Sequence, residues 1–254
     1  MLDEVARIAA EAGRIAAARS GTVFDRWEKN AGEPVCDVDI EVDRFLAAHL
    51  RALDPEAGWL SEETVDQSDR SERRRAWVVD PIDGTRDYLA GRPGWAVSVA
   101  LVEDRVPLLG VLAAPARGET WTAERGRGAW RNGERLKVSG RTALAGSRVP
   151  ALDLPPEDRD LVLVARPNSI ALRIALVASG EADLVATLKW GFEWDIAAAA
   201  LIAEEAGATV TGALGQPLSF NSASGAAFGV LAATPGIHQA AVERIRERAM
   251  AVVG

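Results

Sequence analysis

Two aspartates at the end of an apolar strand are the residues of this sequence best suited to chemistry. Segment 77–85 reads WVVDPIDGT, so Asp80 ends the apolar run and Asp83 follows three residues later, after a proline. Neighbouring carboxylates repel each other, and a cation between them removes that cost. Mg²⁺ prefers oxygen ligands, and the Ile82 carbonyl adds one more. The run therefore indicates a divalent-cation site.

Gly84 and Thr85 follow these aspartates, where a helix could begin. The amides of a helix start point outward and bind anions such as phosphate. Asp-Pro and Asp-Gly are also common turn dipeptides, so an ordinary surface turn is the alternative interpretation.

Three further acidic sites accompany this run. Glu62 and Glu63 follow an apolar pair after one serine. Asp195 stands before a strongly apolar segment, and Asp39 lies in the first turn of a predicted helix with Asp43 four residues on. Taken singly, they also fit a solvated loop, a helix N-cap and a charged helix face.

Hydrophobic periodicity predicts the elements that must position these residues. The predicted helices cover 1–20, 38–53, 170–179, 196–206 and 235–252. The predicted strands cover 76–79, 95–103, 106–113, 120–123, 161–165, 182–188 and 228–234, with an Asn-Gly hairpin over 130–136. The order predicts an α/β layered sandwich, with an antiparallel sheet first and a mixed sheet after.

The proline-rich stretch 147–159 reads as the seam between two lobes. An N-terminal α+β lobe over 1–146 would hold the antiparallel sheet and most metal ligands. A C-terminal α/β lobe over 147–254 would supply Asp195 and substrate contacts.

Composition narrows the partners. The 254 residues include 29 Lys and Arg against 37 Asp and Glu, a net charge of −8, which disfavours nucleic acid and anionic membranes. A small phosphorylated substrate stays compatible, because bound cations reverse the sign of one pocket. The single cysteine, Cys36, forms no internal disulfide, and the sequence has neither a signal peptide pattern nor a membrane span. We therefore expect a cytoplasmic protein.

Taken together, these segments resemble the inositol monophosphatase superfamily of metal-dependent, lithium-sensitive phosphatases. The family's Asp-Pro-Ile-Asp-Gly-Thr run stands intact at 80–85, and its Trp-Asp, Ala-rich helix and Glu-Ala-Gly stand at 194–207. The Glu-Glu pair and Asp39 fall in the expected order. The resemblance implies the layered αβαβα sandwich of the inositol monophosphatase and fructose-1,6-bisphosphatase type.

The resemblance also implies a ligand set for two or three Mg²⁺ ions. Glu62, Asp80 and the Ile82 carbonyl would hold the first ion. Asp80, Asp83 and Asp195 would hold the second, with Asp80 bridging. Glu62 counts among the catalytic residues as well.

Catalysis and phosphate binding are implied in the same way. Asp39 and Thr85 would orient the attacking water and help to deprotonate it, and the amides of Gly84 and Thr85 would hold the phosphate. Lys29 matches a family lysine, with a surface lysine as the alternative. The implied substrate contacts are Asp83, Gly84, Thr85, Ser169, Arg173 and Glu193.

Substrate is not set by fold, because members of this superfamily act on inositol monophosphates, 3'-phosphoadenosine 5'-phosphate, fructose 1,6-bisphosphate or histidinol phosphate. Segment 86–88, Arg-Asp-Tyr, is more similar to the Lys-Glu-Phe of bisphosphate nucleotidases than to the Thr-Asn-Phe of inositol phosphatases. Segment 60–63, Leu-Ser-Glu-Glu, likewise resembles the nucleotidases. Where inositol phosphatases carry an acid seven residues before the metal-binding aspartate, this chain has Leu188.

These details favour a 3'(2'),5'-bisphosphate nucleotidase. Trp190 and Phe192 could face a base or pack in the core, and Arg166 or Arg173 could reach a second phosphate. The alternatives are an inositol monophosphatase, fructose-1,6-bisphosphatase or histidinol-phosphatase on the same scaffold, and a non-catalytic relative that binds a phosphometabolite or protein. Relatives that pair through the first lobe leave a homodimer open.

Overall fold

A computed structural model describes residues 1–21, 26–28, 34–64 and 69–253 of the chain. Its helices are α1 (Leu2–Arg19), α2 (Asp37–Leu53), α3 (Thr85–Leu89), α4 (Ile170–Ala178), α5 (Ala197–Glu205) and α6 (Pro235–Val253). Its strands are β1 (Arg26–Glu28), β2 (Pro34–Cys36), β3 (Gly58–Ser61), β4 (Arg75–Asp83), β5 (Ala96–Glu103), β6 (Val106–Ala114), β7 (Glu119–Glu124), β8 (Gly128–Arg131), β9 (Glu134–Arg135), β10 (Arg148–Val149), β11 (Val162–Leu163), β12 (Leu184–Phe192), β13 (Thr209–Thr211) and β14 (Ala226–Ala233).

The first large sheet contains seven strands in the order β3-β4-β5-β6-β7-β8-β9. Every neighbouring pair is antiparallel except β3 and β4, which are parallel. The prediction of a purely antiparallel first sheet is therefore wrong at this edge. The four-residue strand β3 falls outside the predicted strands, although its parallel pairing brings the carboxyl ends of β3 and β4 together.

The second sheet has three strands in the order β12-β14-β13, and both of its pairs are antiparallel. The prediction of a mixed second sheet is therefore wrong. The crossover through α5 makes β12 and β13 run in the same direction, but β14 inserts between them and pairs with each in the opposite sense. A separate short pair, β10 with β11, is parallel.

Three hydrophobic clusters fill the spaces between layers. Helices α1 and α2 pack on one face of the seven-stranded sheet, and α4 and α5 fill the space between the two sheets. Helix α6 covers the outer face of the three-stranded sheet. This αβαβα order confirms the predicted layered sandwich. Within the described residues, no helix is long and apolar enough to cross a membrane.

Small residues allow α5 to approach the first sheet closely. A Cβ on Gly110 of β6 would lie 2.7 Å from the Ala198 carbonyl oxygen, closer than van der Waals contact permits. The buried alanines of α5 leave the same room on the helix side. The helix that follows Asp195 is therefore seated directly against the sheet that carries Asp80.

Candidate metal and phosphate site

Strand β4 ends in an irregular segment that exposes both of its aspartates to one space. Asp80 pairs with Ser98 and Asp83 with Ala96, so the ladder is interrupted between them. The Ile82 amide donates to Asp80 Oδ1 at 2.9 Å, an Asx-type turn that follows from the proline at position 81. The register break is a bulge within β4, and the carboxylates of Asp80 and Asp83 on either side of it belong to one acidic cluster.

The turn after β4 requires glycine at position 84. Gly84 has φ 97°, and a Cβ there would lie 2.7 Å from the Gly94 carbonyl oxygen and 2.8 Å from the Ser169 amide nitrogen. Helix α3 begins immediately afterwards, and Thr85 Oγ1 donates to the Ile82 carbonyl at 3.0 Å. Only a glycine accommodates both this conformation and the close approach of the two loops.

Asp80, Asp83 and Asp195 form the acidic cluster. One carboxylate oxygen of each lies within 4.8 Å of the others. Asp80 and Asp83 are buried, and Asp195 is half-buried. Asp195 lies in a 3₁₀ turn over 193–195, and its Oδ2 accepts the Phe192 amide at 3.0 Å. It is therefore not the N-cap of α5, which was the ordinary alternative for this residue.

The protonation of this cluster reflects burial and mutual repulsion. Burial raises the pKa of Asp80 well above its usual range, and the neighbouring carboxylates raise it further, Glu62 foremost. Burial also raises the pKa of Asp83, although hydrogen bonds from Ser169 and helix α4 oppose the shift. Burial and the charge of Asp83 raise the pKa of Asp195 to about 7. When all three carboxylates are ionised they repel one another, and a bound divalent cation would remove this repulsion.

Glu62 reaches the site from the parallel strand β3. Its amide donates to the Val79 carbonyl at 3.4 Å, and its side chain lines the cavity. Buried Asp43 of α2 fixes the loop, because its carboxylate accepts the hydroxyls of Ser61 and Thr64, each at 2.5 Å. The charged-face alternative for Asp43 therefore does not apply.

Asp39 lies in the first turn of α2 and is buried. Its Oδ2 accepts the Cys36 amide at 2.8 Å and the Cys36 thiol at 2.9 Å. Its charge is close enough to raise the pKa of Asp80. The Thr85 hydroxyl points to the Ile82 carbonyl instead of to Asp39. Lys29 lies outside the described residues.

A cavity of about 250 Å³ opens in front of these carboxylates. Glu62, Asp83 and Asp195 line it together with Gly84 and Thr85. The cationic residues of its lining are Arg86, Arg166, Arg173 and Lys189. The cavity thus combines carboxylates suited to metal ions with cations suited to an anionic substrate.

Lys189 and Arg86 are cationic lining residues that the sequence analysis did not predict as site residues. Lys189 lies in strand β12 at a register shift between Thr187 and Trp190. A single lysine within an apolar strand was the available signal. Asn168, which directly precedes the predicted substrate contact Ser169, also lines the cavity.

Ser169 and Glu193 differ from their expected contact with substrate. Ser169 is fully buried, where it donates to Asp83 Oδ2 at 2.5 Å and caps α4 by accepting the Leu172 amide at 2.9 Å. Glu193 is also fully buried, with its oxygens bonded to residues 221 and 222. Neither residue lines the cavity. Ser169 instead holds Asp83, which does line the cavity, and Glu193 is part of the short turn that carries Asp195.

Of the other positions considered for substrate binding, some line the cavity and others lie outside it. Arg173 lines the cavity, half-buried, and donates to the Asn168 carbonyl at 2.8 Å. Phe192 lines it and stacks on Trp194, with ring centroids 4.3 Å apart. Trp190 is 61% exposed beside Phe228. Leu188 packs against the apolar cluster under α6.

The donor chemistry of the cluster fits magnesium. Magnesium is a hard cation that takes carboxylate and carbonyl oxygens as ligands. The cluster of described residues consists of three aspartates and includes no histidine or cysteine. The layered fold and this site define a metal-dependent hydrolase of phosphoric monoesters.

Comparison with known proteins narrows that class. A model of the inositol monophosphatase family matches residues 1–250. The chain is 35% identical over 199 residues to the fructose-1,6-bisphosphatase/inositol-1-monophosphatase of Thermotoga maritima, covering 74% of this chain and 75% of the relative. It is 32% identical over 238 residues to the 3'(2'),5'-bisphosphate nucleotidase CysQ of Aggregatibacter actinomycetemcomitans, covering 87% of each.

The structural match is equally extensive. The solved structure of Thermotoga maritima IMPase TM1415 superposes with a TM-score of 0.85 at 29% identity, covering 99% of this chain and 98% of the other. The chain belongs to the inositol monophosphatase family, whose members are magnesium-dependent phosphatases.

Proposed function

We propose that this phosphatase acts on a substrate with two phosphate groups, and that the substrate is a 3'(2'),5'-bisphosphate nucleotide such as 3'-phosphoadenosine 5'-phosphate. The observation that carries the proposal is the set of four cationic side chains around the cavity. One phosphate bound to metal ions needs fewer cations than this, so the surplus suits a second anionic group.

Two or three Mg²⁺ ions would be held by the clustered carboxylates. Glu62, Asp80 and the Ile82 carbonyl would form one site, and Asp80, Asp83 and Asp195 the other. The Ile82 carbonyl has a second lone pair besides the one that accepts the Thr85 hydroxyl. Bound magnesium supplies neutralisation of phosphate charge and a lowered pKa for coordinated water.

The chain's own groups would position the reacting partners. Asp39 and Thr85 would orient the attacking water and help to deprotonate it, which requires the Thr85 hydroxyl to turn away from the Ile82 carbonyl. The amides of Gly84 and Thr85 would hold the phosphate at the start of α3. Phosphoryl transfer depends on such positioning more than on covalent chemistry.

Arg166 and Arg173 would bind the second phosphate. Both are half-buried and line the cavity. Burial and the nearby charge of Arg166 lower the pKa of Arg173 to about 10, so it still carries its charge at neutral pH. Two guanidinium groups that repel each other are stabilised when a dianion lies between them.

Two features favour a nucleotide over inositol phosphate. Leu188 offers no acceptor for a ring of hydroxyls and packs into an apolar cluster. Phe192 on the cavity lining and exposed Trp190 nearby offer apolar surface for a base. The relative that carries the nucleotidase name aligns over 87% of both chains.

Fructose 1,6-bisphosphate is the second candidate, because it also carries two phosphates. The relative named fructose-1,6-bisphosphatase/inositol-1-monophosphatase, at 35% identity, supports it. A sugar bisphosphate would use the same arginines but gain nothing from Phe192.

The test is phosphate release, with and without Mg²⁺, from matched pairs of substrates. We expect kcat/KM for 3'-phosphoadenosine 5'-phosphate to exceed that for adenosine 3'-phosphate, fructose 1,6-bisphosphate, inositol 1-phosphate and histidinol phosphate. Arg173→Met should remove about tenfold of the preference for the bisphosphate over the monophosphate. A preference for inositol phosphate would overturn the substrate assignment, and no turnover at all would favour a binding-only relative.

A further inference from the structure

Glu193 is a carboxylate with no exposed surface, two residues before the metal-site residue Asp195. It accepts the Asn221 amide at 2.5 Å, the Ser222 amide at 3.0 Å and the Ser222 hydroxyl. Burying a carboxylate is costly unless it is paired and hydrogen-bonded. Three donors from one two-residue segment supply that compensation.

Arg70, which is 1% exposed, binds the same segment. Its Nη1 donates to Asn221 Oδ1 at 2.5 Å, and its Nη2 donates to the Ser222 carbonyl at 2.8 Å. Glu193 therefore accepts from the two backbone amides and the Ser222 hydroxyl, while the Arg70 guanidinium donates to the Asn221 side-chain oxygen and the Ser222 carbonyl. Asn221 has φ 60°, a left-handed conformation that this network stabilises.

The network is joined to the 3₁₀ turn that carries Asp195. Glu193, Trp194 and Asp195 form that turn, and the Glu193 amide donates to the Gly225 carbonyl at 2.8 Å. The Trp194 carbonyl accepts the Ser98 hydroxyl at 3.3 Å, across from Asp80 in the first sheet. Since the turn is only three residues long, displacement of Glu193 displaces Asp195.

We propose that Glu193 and Arg70 are positioning residues of the metal site, which hold residues 221 and 222 so that the 193–195 turn keeps Asp195 within ligand distance of Asp80 and Asp83. The inference rests on the magnesium site of the proposed function. It gives Glu193 a role different from contact with substrate.

The test is Mn²⁺ binding by electron paramagnetic resonance, with Mn²⁺ alone as the probe and no substrate present. Glu193→Gln replaces one acceptor oxygen by an NH₂ group that faces amide or hydroxyl donors. We expect Mn²⁺ affinity to fall by about 10- to 100-fold, the usual effect of removing a group that orients metal ligands.

Glu205→Gln is the matched control. The Glu205 carboxylate also accepts two backbone amides, those of Gly126 and Gly128, each at 2.7 Å. It lies at the opposite end of α5 from Asp195. The control should lose thermal stability but retain Mn²⁺ affinity.

A milder variant guards against failure to fold. Ser222→Ala removes one hydrogen bond to Glu193 and should weaken Mn²⁺ binding by about threefold, in the same direction. At saturating metal, KM for substrate should be unchanged in both variants. Unchanged Mn²⁺ affinity with raised KM would overturn the inference in favour of substrate contact. A wild-type protein that binds no Mn²⁺ would overturn the proposed function and this inference with it.

Discussion

Asp80 and Asp183 are equally buried, each 1% exposed, yet their surroundings are opposite. Asp80 lies among Glu62, Asp83 and Asp195. Asp183, just before β12, accepts Arg148 Nη2 at 2.7 Å, Arg148 Nε at 3.0 Å and the Ser139 hydroxyl at 2.6 Å. One region brings carboxylates together, and the other pairs a single carboxylate with a cation.

The pKa values of the two aspartates separate accordingly. Burial and neighbouring carboxylates raise the pKa of Asp80. Burial alone would raise the pKa of Asp183, but the hydrogen bonds from Arg148 and Ser139 lower it to about 2. Burial therefore does not mark a functional carboxylate. In the part of the chain that the structure describes, the charges that act on Asp80 are other carboxylates, with no paired cation among them, and such an arrangement indicates a site where a ligand supplies the missing positive charge.

The largest expected effect comes from removing a carboxylate of the cluster. Asp80→Asn should lower kcat/KM at saturating Mg²⁺ by about 10³-fold or more, the equivalent of about 4 kcal/mol of transition-state stabilisation. Asp195→Asn should act in the same direction. Phosphate release across a Mg²⁺ titration measures both, and circular dichroism checks the fold. An active Asp80→Asn enzyme at ordinary magnesium would contradict the metal assignment.

The same cluster should destabilise the metal-free protein at high pH. The pKa of Asp195 is about 7 in the folded protein and about 3.9 when unfolded, so the folded state holds the extra proton between these values. The free energy of unfolding should therefore fall as pH rises from about 4 to about 7. In EDTA at pH 8, we expect Asp195→Asn to be more stable than wild type by up to about 4 kcal/mol.

Urea unfolding at pH 5 and pH 8 measures that difference. The gain should be much smaller at pH 5, where the folded wild-type Asp195 is already protonated. At pH 8, added Mg²⁺ should stabilise the wild type more than Asp195→Asn, which loses a ligand of one of the two proposed metal sites. Equal stability of the two proteins at pH 8 in EDTA would mean that the cluster carries no strain of this kind.

Residues 80–85 were recognisable in the sequence because one strand and one turn bring them together. The resemblance, which rests on the motifs at 80–85 and 194–207, also implied that Asp195 lies beside Asp80 and Asp83, as the acidic cluster shows. The positioning role proposed for Glu193 could not be predicted from the sequence, because residue types do not reveal that its hydrogen-bond partners lie almost thirty positions away at 221 and 222.

The fold divides in a similar way. Helix periods predicted α1, α2, α4, α5 and α6 within a few residues. Strand β3 was missed because four residues give too short a pattern, and the sheet directions failed where long-range pairing decides them. Three expectations stay predictions. They are the boundary between the lobes at 146 and 147, a homodimer and the cytoplasmic location.

The smallest expected effect comes from Asp183, the carboxylate that is paired with a cation. The lowered pKa of Asp183 means that its ion pair stabilises the fold above the unfolded pKa of about 3.9, and that this contribution is lost as pH falls towards about 2. Arg148 is 38% exposed, and solvent screening reduces the contribution. Asp183→Asn should therefore lose about 1–2 kcal/mol of stability at pH 7, with the loss shrinking between pH 4 and pH 2.

Urea unfolding measures the loss, and kcat and Mg²⁺ dependence should match wild type because Asp183 does not line the cavity. A variant that kept its stability but lost its response to Mg²⁺ would place Asp183 with the cluster, and the distinction between the two carboxylate regions would fail.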